Sequence, residues 1–165
     1  MKETVEFIMT GASVSRYHTV DLIKSETVGH HSHGVAMLCL VIDPDVSSNV
    51  LKAALVHDLA EQYTGDIPSP AKRALHMGVE IENLETTLLN QHGIPIPKLT
   101  YGEKVVLKLA DNLHGALKCV REIKMGNTLL IPVLNRYISY AESLPLGVLD
   151  SRAKELIEVV KEMSK

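Results

Sequence analysis

The sequence predicts an all-α fold in which a single domain, a helical bundle, spans residues 1–165. Apolar residues recur at helical spacing along the whole chain, and no segment shows the strict alternation that is typical of a strand. Apolar residues make up 45% of the composition and charged residues 22%, which is typical of a globular protein. A chain of this length is long enough to bury one sizeable hydrophobic core.

Turn and capping residues divide this helical pattern into separate segments. Asp45–Ser48 supply turn and N-cap chemistry before the third helix, and Gly126 is placed to end the fifth. The proline-containing stretches GDIPSP and HGIPIP end the third and fourth helices, and SLPLG separates the last two. The predicted helices cover residues 2–11, 28–42, 47–62, 71–91, 101–125, 127–143 and 150–163. The irregular segment 12–27 is long for a compact domain, and loops of that length are often functional.

Charge and composition limit the classes of partner. A formal net charge of −3 without a long basic block argues against nucleic-acid wrapping, but not against a small anion held in a local basic pocket. The N-terminal stretch does not resemble a signal peptide, and no apolar run is long enough to span a bilayer. Cys39 and Cys119 lie in apolar helical patterns, which favours reduced core thiols. We therefore expect a cytoplasmic protein without nucleic-acid or membrane partners, and a homo-oligomer of unspecified size.

Four polar residues fall on or beside the apolar faces of three predicted helices. His31 shares its face with Val35, while the pair His57–Asp58 continues the stripe of the third helix, and Asp111 lies at the edge of the core side of the long helix. Each alone has an ordinary explanation as a hydrogen-bonded core histidine, a cap or an ion pair. Together, two imidazoles and two carboxylates form a good ligand set for a divalent metal. The identity of the ion (Zn²⁺, Co²⁺, Mn²⁺ or Mg²⁺) is left open.

At these residues the chain resembles the HD-domain phosphohydrolase superfamily. The segments that carry the resemblance are RYHTV (16–20), ETVGHHSHGVAM (26–37), HDLAEQYTGDIPSPAK (57–72) and KLADNL (108–113). They are most similar to the small 5′-deoxynucleotidases and their phage relatives that hydrolyse deoxynucleoside triphosphates. The resemblance implies an HD-domain helical bundle in which one catalytic divalent metal is bound by His31, His57, Asp58 and Asp111.

The resemblance also implies that Glu61 and Asp66 are the catalytic carboxylates. Hydrolysis of a phosphate ester needs a nucleophilic water, charge neutralisation and proton transfer, which carboxylates beside a metal can support. Glu61, four residues after His57 on the predicted third helix, is placed to act on that water as a general base or to orient it. Without the resemblance, Glu61 would be read as a helix-end charge and Asp66 as a turn residue.

A second group of residues near these motifs is expected to bind the substrate. Cations can clamp phosphates, and an aromatic ring can stack on a base, although each of these residues would otherwise be read as an ordinary surface or core side chain. The candidates for phosphate are Arg16, Lys72 and Lys108, the candidate for stacking is Tyr17, and His18 and Thr19 share its loop. His76, His92 and His114 carry no signal and are interpreted as surface or helix-end residues, and the roles of His30 and His33 are left open.

These assignments favour a metal-dependent hydrolase of deoxynucleotides. The compact chain and the RYHT loop look more like the phage triphosphohydrolases, which predicts that dATP is cut into deoxyadenosine and triphosphate. One alternative is a 5′-deoxynucleotidase that acts on deoxynucleoside monophosphates with the same site. An alternative from another class is a non-catalytic HD-fold module that binds a nucleotide, although such a module would not need Glu61 and Asp66.

Overall fold

The computed structural model describes residues 1–164, and these form a bundle of α-helices. The helices are α1 (Lys2–Ala12), α2 (Val28–Ile42), α3 (Ser48–Val56), α4 (Glu61–Thr64), α5 (Ser69–Ala74), α6 (Gly78–Gln91), α7 (Tyr101–Lys124), α8 (Ile131–Ser143) and α9 (Asp150–Met163). Within residues 1–164 the extended pairing is limited to an isolated bridge between Ser15 and Thr27, so the predicted all-α class is confirmed. None of the described helices is long and apolar enough to cross a membrane.

The long helix α7 forms the centre of the bundle and packs against α2, α3, α8 and α9. A capping box at Thr100 and Glu103 starts it, because each side chain accepts a hydrogen bond from the backbone N–H of the other residue. Its buried face, which includes Leu109, Leu113 and Val120, contributes to the main hydrophobic core. This packing fixes the α7 backbone from which polar side chains reach the site.

Helix α2 carries one of the predicted ligands into this core. The Thr27 side chain accepts a hydrogen bond from the backbone N–H of His30 and so caps the helix. Val28, Val35 and Cys39 are fully buried on the face that meets the core. His31 lies on the same face and is fully buried as well, so its ring cannot reach bulk water.

The predicted helix 47–62 is wrong, because α3 ends at Val56 and a turn over residues 57–60 precedes α4. In the turn, the N–H of Glu61 bonds the carbonyl of Asp58 at 3.0 Å, three residues back rather than four. The turn is held by packing against α1: a side chain at Gly11 would lie 2.4 Å from the Leu59 carbonyl oxygen. His57 still follows the α3 pattern, because its N–H bonds the Ala53 carbonyl at 2.9 Å, and the break changes the course of the chain between Asp58 and Glu61.

The predicted helix 71–91 is also divided, into α5 and α6. The chain reverses at residues 75–77, where His76 takes a positive φ of 54°. Helix α5 begins at Ser69, earlier than predicted, with proline at its first turn, where the missing N–H has no helical partner to lose. Helix α6 then ends at Gln91, at the predicted HGIPIP break.

The segment between α1 and α2 is irregular, as predicted, and a buried carboxylate ties it to α7. Glu122 accepts hydrogen bonds from the backbone N–H groups of Ile23 at 2.7 Å and Lys24 at 2.9 Å. It also accepts from the side chains of Lys118 at 2.8 Å and Asn127 at 3.1 Å. Burial alone would raise the pKa of Glu122, but these donors, Lys118 first, lower it to about 2. The loop that carries Arg16 and Tyr17 is thereby anchored to the core.

Candidate metal centre and nucleotide cavity

The side chains from the turn after α3 and from α2 converge on one carboxylate oxygen. Asp58 Oδ2 lies 3.3 Å from His57 Nε2, 3.7 Å from His31 Nε2 and 2.6 Å from Arg16 Nη1. The ligand atoms of His31, His57 and Asp58 all lie within 4.8 Å of one another. Asp111 joins from α7, with its Oδ1 at 3.0 Å from His31 Nε2. The structure therefore brings the four predicted ligands together from three parts of the chain.

The hydrogen bonds of His57 suit it to bind a cation. Its Nδ1 lies 2.8 Å from the carbonyl oxygen of Ala54, and a carbonyl can only accept, so the ring proton belongs on Nδ1. The lone pair of Nε2 then points towards Asp58. His57 Nε2 and His31 Nε2 are both buried and have no hydrogen-bond partner among the described residues. Two buried imidazole nitrogens facing carboxylates fit a divalent ion, in agreement with the predicted cofactor.

The charged groups of this cluster support one another. Burial would raise the pKa of Asp58, but His57 and Arg16 hold it below its usual value. Desolvation opposes ionisation of Asp111, and the neighbouring His31, whose Nε2 lies 3.0 Å from Oδ1, keeps the pKa of Asp111 well below its usual value. Desolvation would lower the pKa of Arg16, yet Asp58 and Asp111 raise it, so Arg16 stays charged. The centre is thus a cluster of ionised carboxylates that Arg16 partly neutralises.

The interpretation of His114 as a surface or helix-end residue is wrong. His114 is 9% exposed, and its Nδ1 lies 2.9 Å from Nδ1 of His31. Burial, followed by the nearby His31 and Arg16, lowers the pKa of His114 to about 3, so the ring is neutral. Gly34 provides the space, since a Cβ there would lie 2.1 Å from this ring. Three-residue spacing from Asp111 places His114 on the same side of α7, a signal that the sequence contains.

Glu61, the first residue of α4, is a buried carboxylate beside this cluster. It is 3% exposed, and its Oε2 has no hydrogen-bond partner among the described residues. Burial, and then the negative charges of Asp58 and Asp66, raise the pKa of Glu61 to about 9. A buried carboxyl with a raised pKa next to a cluster of ligands is a common arrangement at catalytic sites. Its catalytic role remains a prediction.

Asp66 lines a cavity together with residues of α7 and is positioned by the loop before α2. Its Oδ2 accepts a hydrogen bond from the backbone N–H of Tyr17 at 2.9 Å. Tyr17 has a φ of 59°, a left-handed conformation that is uncommon for a residue other than glycine. The Tyr17 hydroxyl lies 3.1 Å from the hydroxyl of Tyr137 on α8. Strained backbone of this kind is often found at functional sites.

The cavity has a volume of about 920 Å³, within the usual size for a small-molecule site. Six of the predicted site residues line its wall, namely Arg16, Tyr17, Thr19, Asp66, Lys108 and Asp111. His18 is exposed and lies outside that wall. Lys72 also lies outside it, with its Nζ at 3.8 Å from Glu85 on α6. His18 and Lys72, which were predicted to bind the substrate, therefore do not line this cavity, and their roles stay predictions.

Other lining residues come from elements to which the sequence analysis gave no role. Arg73 lies on α5, and Arg136, Tyr137 and Tyr140 lie on α8. Tyr137 packs closely on α7, because a Cβ at Gly115 would lie 2.5 Å from its ring. Its backbone carbonyl also accepts a hydrogen bond from the Asn112 side chain at 2.8 Å. A glycine on the core side of α7 was the one sign in the sequence that another side chain packs there.

Comparison with known proteins gives consistent matches. A 5′-deoxynucleotidase of Cronobacter sakazakii is 27% identical over 69% of each chain. A crystal structure of a Pyrococcus horikoshii OT3 protein covers 99% of each chain with a TM-score of 0.79 at 23% identity. The cyanophage S-2L HD phosphohydrolase DatZ, bound to dA and one catalytic Zn²⁺ ion, covers 95% of this chain and 96% of its own. Its TM-score is 0.69 at 18% identity.

Residues 13–90 match the HD domain family, and this range contains His31, the His57–Asp58 pair and Glu61. The structural neighbours share the all-α fold over almost the whole chain. Family match and fold agree with the resemblance read from the four sequence segments. Residues 13–90 therefore match the HD domain family, and the chain is similar in sequence to 5′-deoxynucleotidases and in fold to DatZ.

Proposed function

We propose that the protein hydrolyses the 5′-phosphate ester of deoxynucleotides with a divalent metal ion bound by His31, His57, Asp58 and Asp111. The observation that carries the proposal is the position of this cluster beside a cavity of about 920 Å³ whose wall combines cations and aromatic rings. Similarity to a 5′-deoxynucleotidase and to a phosphohydrolase bound to dA and one Zn²⁺ ion supports the same substrate class. A module that only binds nucleotides would gain nothing from a buried Glu61 whose Oε2 has no hydrogen-bond partner among the described residues.

Different residues of the chain have different roles in the proposed reaction. A divalent ion at the cluster would supply Lewis acidity, which neutralises phosphate charge and lowers the pKa of water. Arg16, held against Asp58 at 2.6 Å, presents a fixed charge at the edge of the same site. Glu61 is ionised when positive charge offsets Asp58 and Asp66, and it then accepts the proton of the attacking water. Asp66, held by the Tyr17 N–H, orients the water or the sugar from the cavity wall.

The charge of the cavity wall favours a triphosphate. Arg73, Lys108 and Arg136 line the cavity and form no ion pair with any residue in the described part of the chain. A triphosphate carries more negative charge than a monophosphate, and cations beyond Arg16 would offset that excess. We therefore favour dATP as substrate, with deoxyadenosine and inorganic triphosphate as products. The similarity to 5′-deoxynucleotidases favours the second candidate, a monophosphatase that acts on deoxynucleoside monophosphates.

The proposal is tested by incubating the purified protein with each dNTP and dNMP in the presence of Zn²⁺, Co²⁺, Mn²⁺ or Mg²⁺ and identifying the products by chromatography. Triphosphate and deoxyadenosine from dATP would support the triphosphohydrolase. Orthophosphate from dAMP with dATP untouched would favour the monophosphatase. Binding of dATP without any product under all four ions would leave the non-catalytic module.

Glu61→Ala tests the catalytic assignment, because it removes the carboxylate and leaves the four predicted metal ligands in place. General acid–base catalysis contributes roughly 10²–10⁴-fold, so turnover should fall by about that factor while Zn²⁺ binding persists. Turnover close to that of the unchanged protein would show that another group accepts the proton.

A further inference from the structure

Two histidines of the proposed metal centre have different partners for the nitrogen that faces away from the cluster. His57 Nδ1 lies against the Ala54 carbonyl at 2.8 Å, and a carbonyl can only accept. His31 Nδ1 lies against another imidazole, His114 Nδ1, at 2.9 Å. An imidazole nitrogen can donate or accept, so the tautomer of His31 is decided by His114.

A single cation bound at the cluster determines where the ring protons of His31 and His114 lie. His31 Nε2 faces the carboxylates of Asp111 at 3.0 Å and Asp58 at 3.7 Å, so it is the ligand nitrogen and must be unprotonated. The ring proton of neutral His31 then belongs on Nδ1. His31 is fully buried, and His114 Nδ1 is the hydrogen-bond partner that the described structure gives this atom. His114 Nδ1 must therefore accept, with its own proton on Nε2.

We propose that His114 is a positioning residue that accepts a hydrogen bond from His31 Nδ1 and thereby presents His31 Nε2 to the metal. This inference rests on the metal centre of the proposed function. Hydrogen bonds to the outer nitrogen of a histidine ligand fix the ring orientation and increase its basicity. Gly34 makes room for this arrangement, because any Cβ at that position would lie 2.1 Å from the His114 ring.

The alternative role for His114 is that of a metal ligand. Glu26, His31 and His114 offer ligand atoms within 4.8 Å of one another, so His114 would itself be a ligand if a second ion bound there. In that case His31 would have to use both of its nitrogens as ligands, without a proton on either. The number of bound ions distinguishes the two roles: the protein binds one ion per chain if His114 is a positioning residue and two if His114 is a ligand.

The test measures Zn²⁺ binding by chelator competition, with Zn²⁺ alone as the probe, for the unchanged protein and three variants. His114→Leu removes the acceptor and should weaken Zn²⁺ binding by about 10–100-fold. His114→Asn keeps an amide oxygen near the position of Nδ1 and should bind within about threefold of the unchanged protein. His33→Leu removes an exposed histidine from α2 and is the matched control, with unchanged binding expected.

A second measurement does not depend on the variants being folded. In the Zn²⁺-loaded, ¹⁵N-labelled protein, long-range ¹H–¹⁵N spectra should show His31 protonated at Nδ1 and His114 protonated at Nε2. A proton on His31 Nε2, or a folded His114→Leu variant with unchanged affinity, would overturn the proposal. Two Zn²⁺ ions per chain, reduced to one by His114→Leu, would identify His114 as a ligand instead. No Zn²⁺ binding by the unchanged protein would refute the proposed metal centre itself.

Discussion

Glu61→Gln should change how the stability of the metal-free protein depends on pH. The buried Glu61 carboxyl has a pKa of about 9 in the folded protein, because burial and the charges of Asp58 and Asp66 disfavour its ionised form. In the unfolded chain its pKa returns to the usual 4.5. A pKa that is raised on folding contributes stability that is fully present below 4.5 and is lost as the pH rises towards 9. Glutamine has nearly the same shape and never ionises, so the Glu61→Gln variant does not lose this stability as the pH rises.

The size of the effect follows from these two pKa values. Each pH unit over which the folded state holds one proton more than the unfolded state lowers the free energy of unfolding by about 1.4 kcal/mol. Between about pH 5 and about pH 8 this amounts to about 4 kcal/mol for the unchanged protein. Other titrating groups are common to both proteins, so their contributions cancel in the difference between variant and unchanged protein.

The assay is urea unfolding of the chelator-treated unchanged protein and Glu61→Gln at about pH 5 and about pH 8. Glu61→Gln should gain stability relative to the unchanged protein as the pH rises, by about 4 kcal/mol over this range. Addition of Zn²⁺ should reduce the gain, since a cation near Asp58 would favour the ionised carboxylate. Parallel pH profiles of the two proteins would refute the reasoning, because Glu61 would then be ionised in the fold without penalty.

Three further predictions concern the ligands, the cavity wall and the anchored loop. Asp58→Asn should weaken Zn²⁺ binding by more than about tenfold in chelator competition, because the amide lacks the charge that a cation needs; retained affinity would place the ion elsewhere. Lys108→Ala and Arg136→Ala should each raise KM for dATP by about tenfold with little effect on dAMP, as steady-state kinetics would show; equal changes for both nucleotides would contradict a triphosphate site. Glu122→Gln should lower the free energy of unfolding by about 1–3 kcal/mol and speed amide exchange at Ile23; unchanged exchange there would mean that the loop is held by other contacts.

The all-α class and most helix boundaries could be predicted because periodicity and breakers are local signals. Helix α2 was predicted at its observed bounds, since Thr27 caps it and the apolar stripe runs to Ile42. The turn at residues 57–60 was missed because its cause is not local. Leu59 packs in a cluster with Phe7 and Leu89, and α1 approaches its backbone closely at Gly11. Tertiary packing of that kind overrides a helical pattern.

The candidate site was predicted best where a motif carries its chemistry in adjacent residues. His57, Asp58 and Glu61 lie in one segment, and the helical faces of His31 and Asp111 indicated that they point inward. The contact of His114 with His31 joins α7 and α2. The spacing from Asp111 indicates the side of α7 on which His114 lies, but the sequence does not indicate that His31 is its partner. Arg136 and Tyr137 were missed for the same reason, since α8 reaches the cavity through the bundle and not through a neighbouring motif.

The central claim is that the protein cleaves the 5′-phosphate ester of a deoxynucleotide, and hydrolysis of dATP in ¹⁸O-labelled water with Zn²⁺ or another divalent ion tests it most directly. Mass spectrometry of the products should show one labelled oxygen in inorganic triphosphate and none in deoxyadenosine, because water attacks the α-phosphorus and the bond to the 5′ oxygen breaks. Label in dAMP or in pyrophosphate would mean that a bond between phosphates is cut. The absence of product from every deoxynucleotide, with Zn²⁺ bound, would contradict the proposed function.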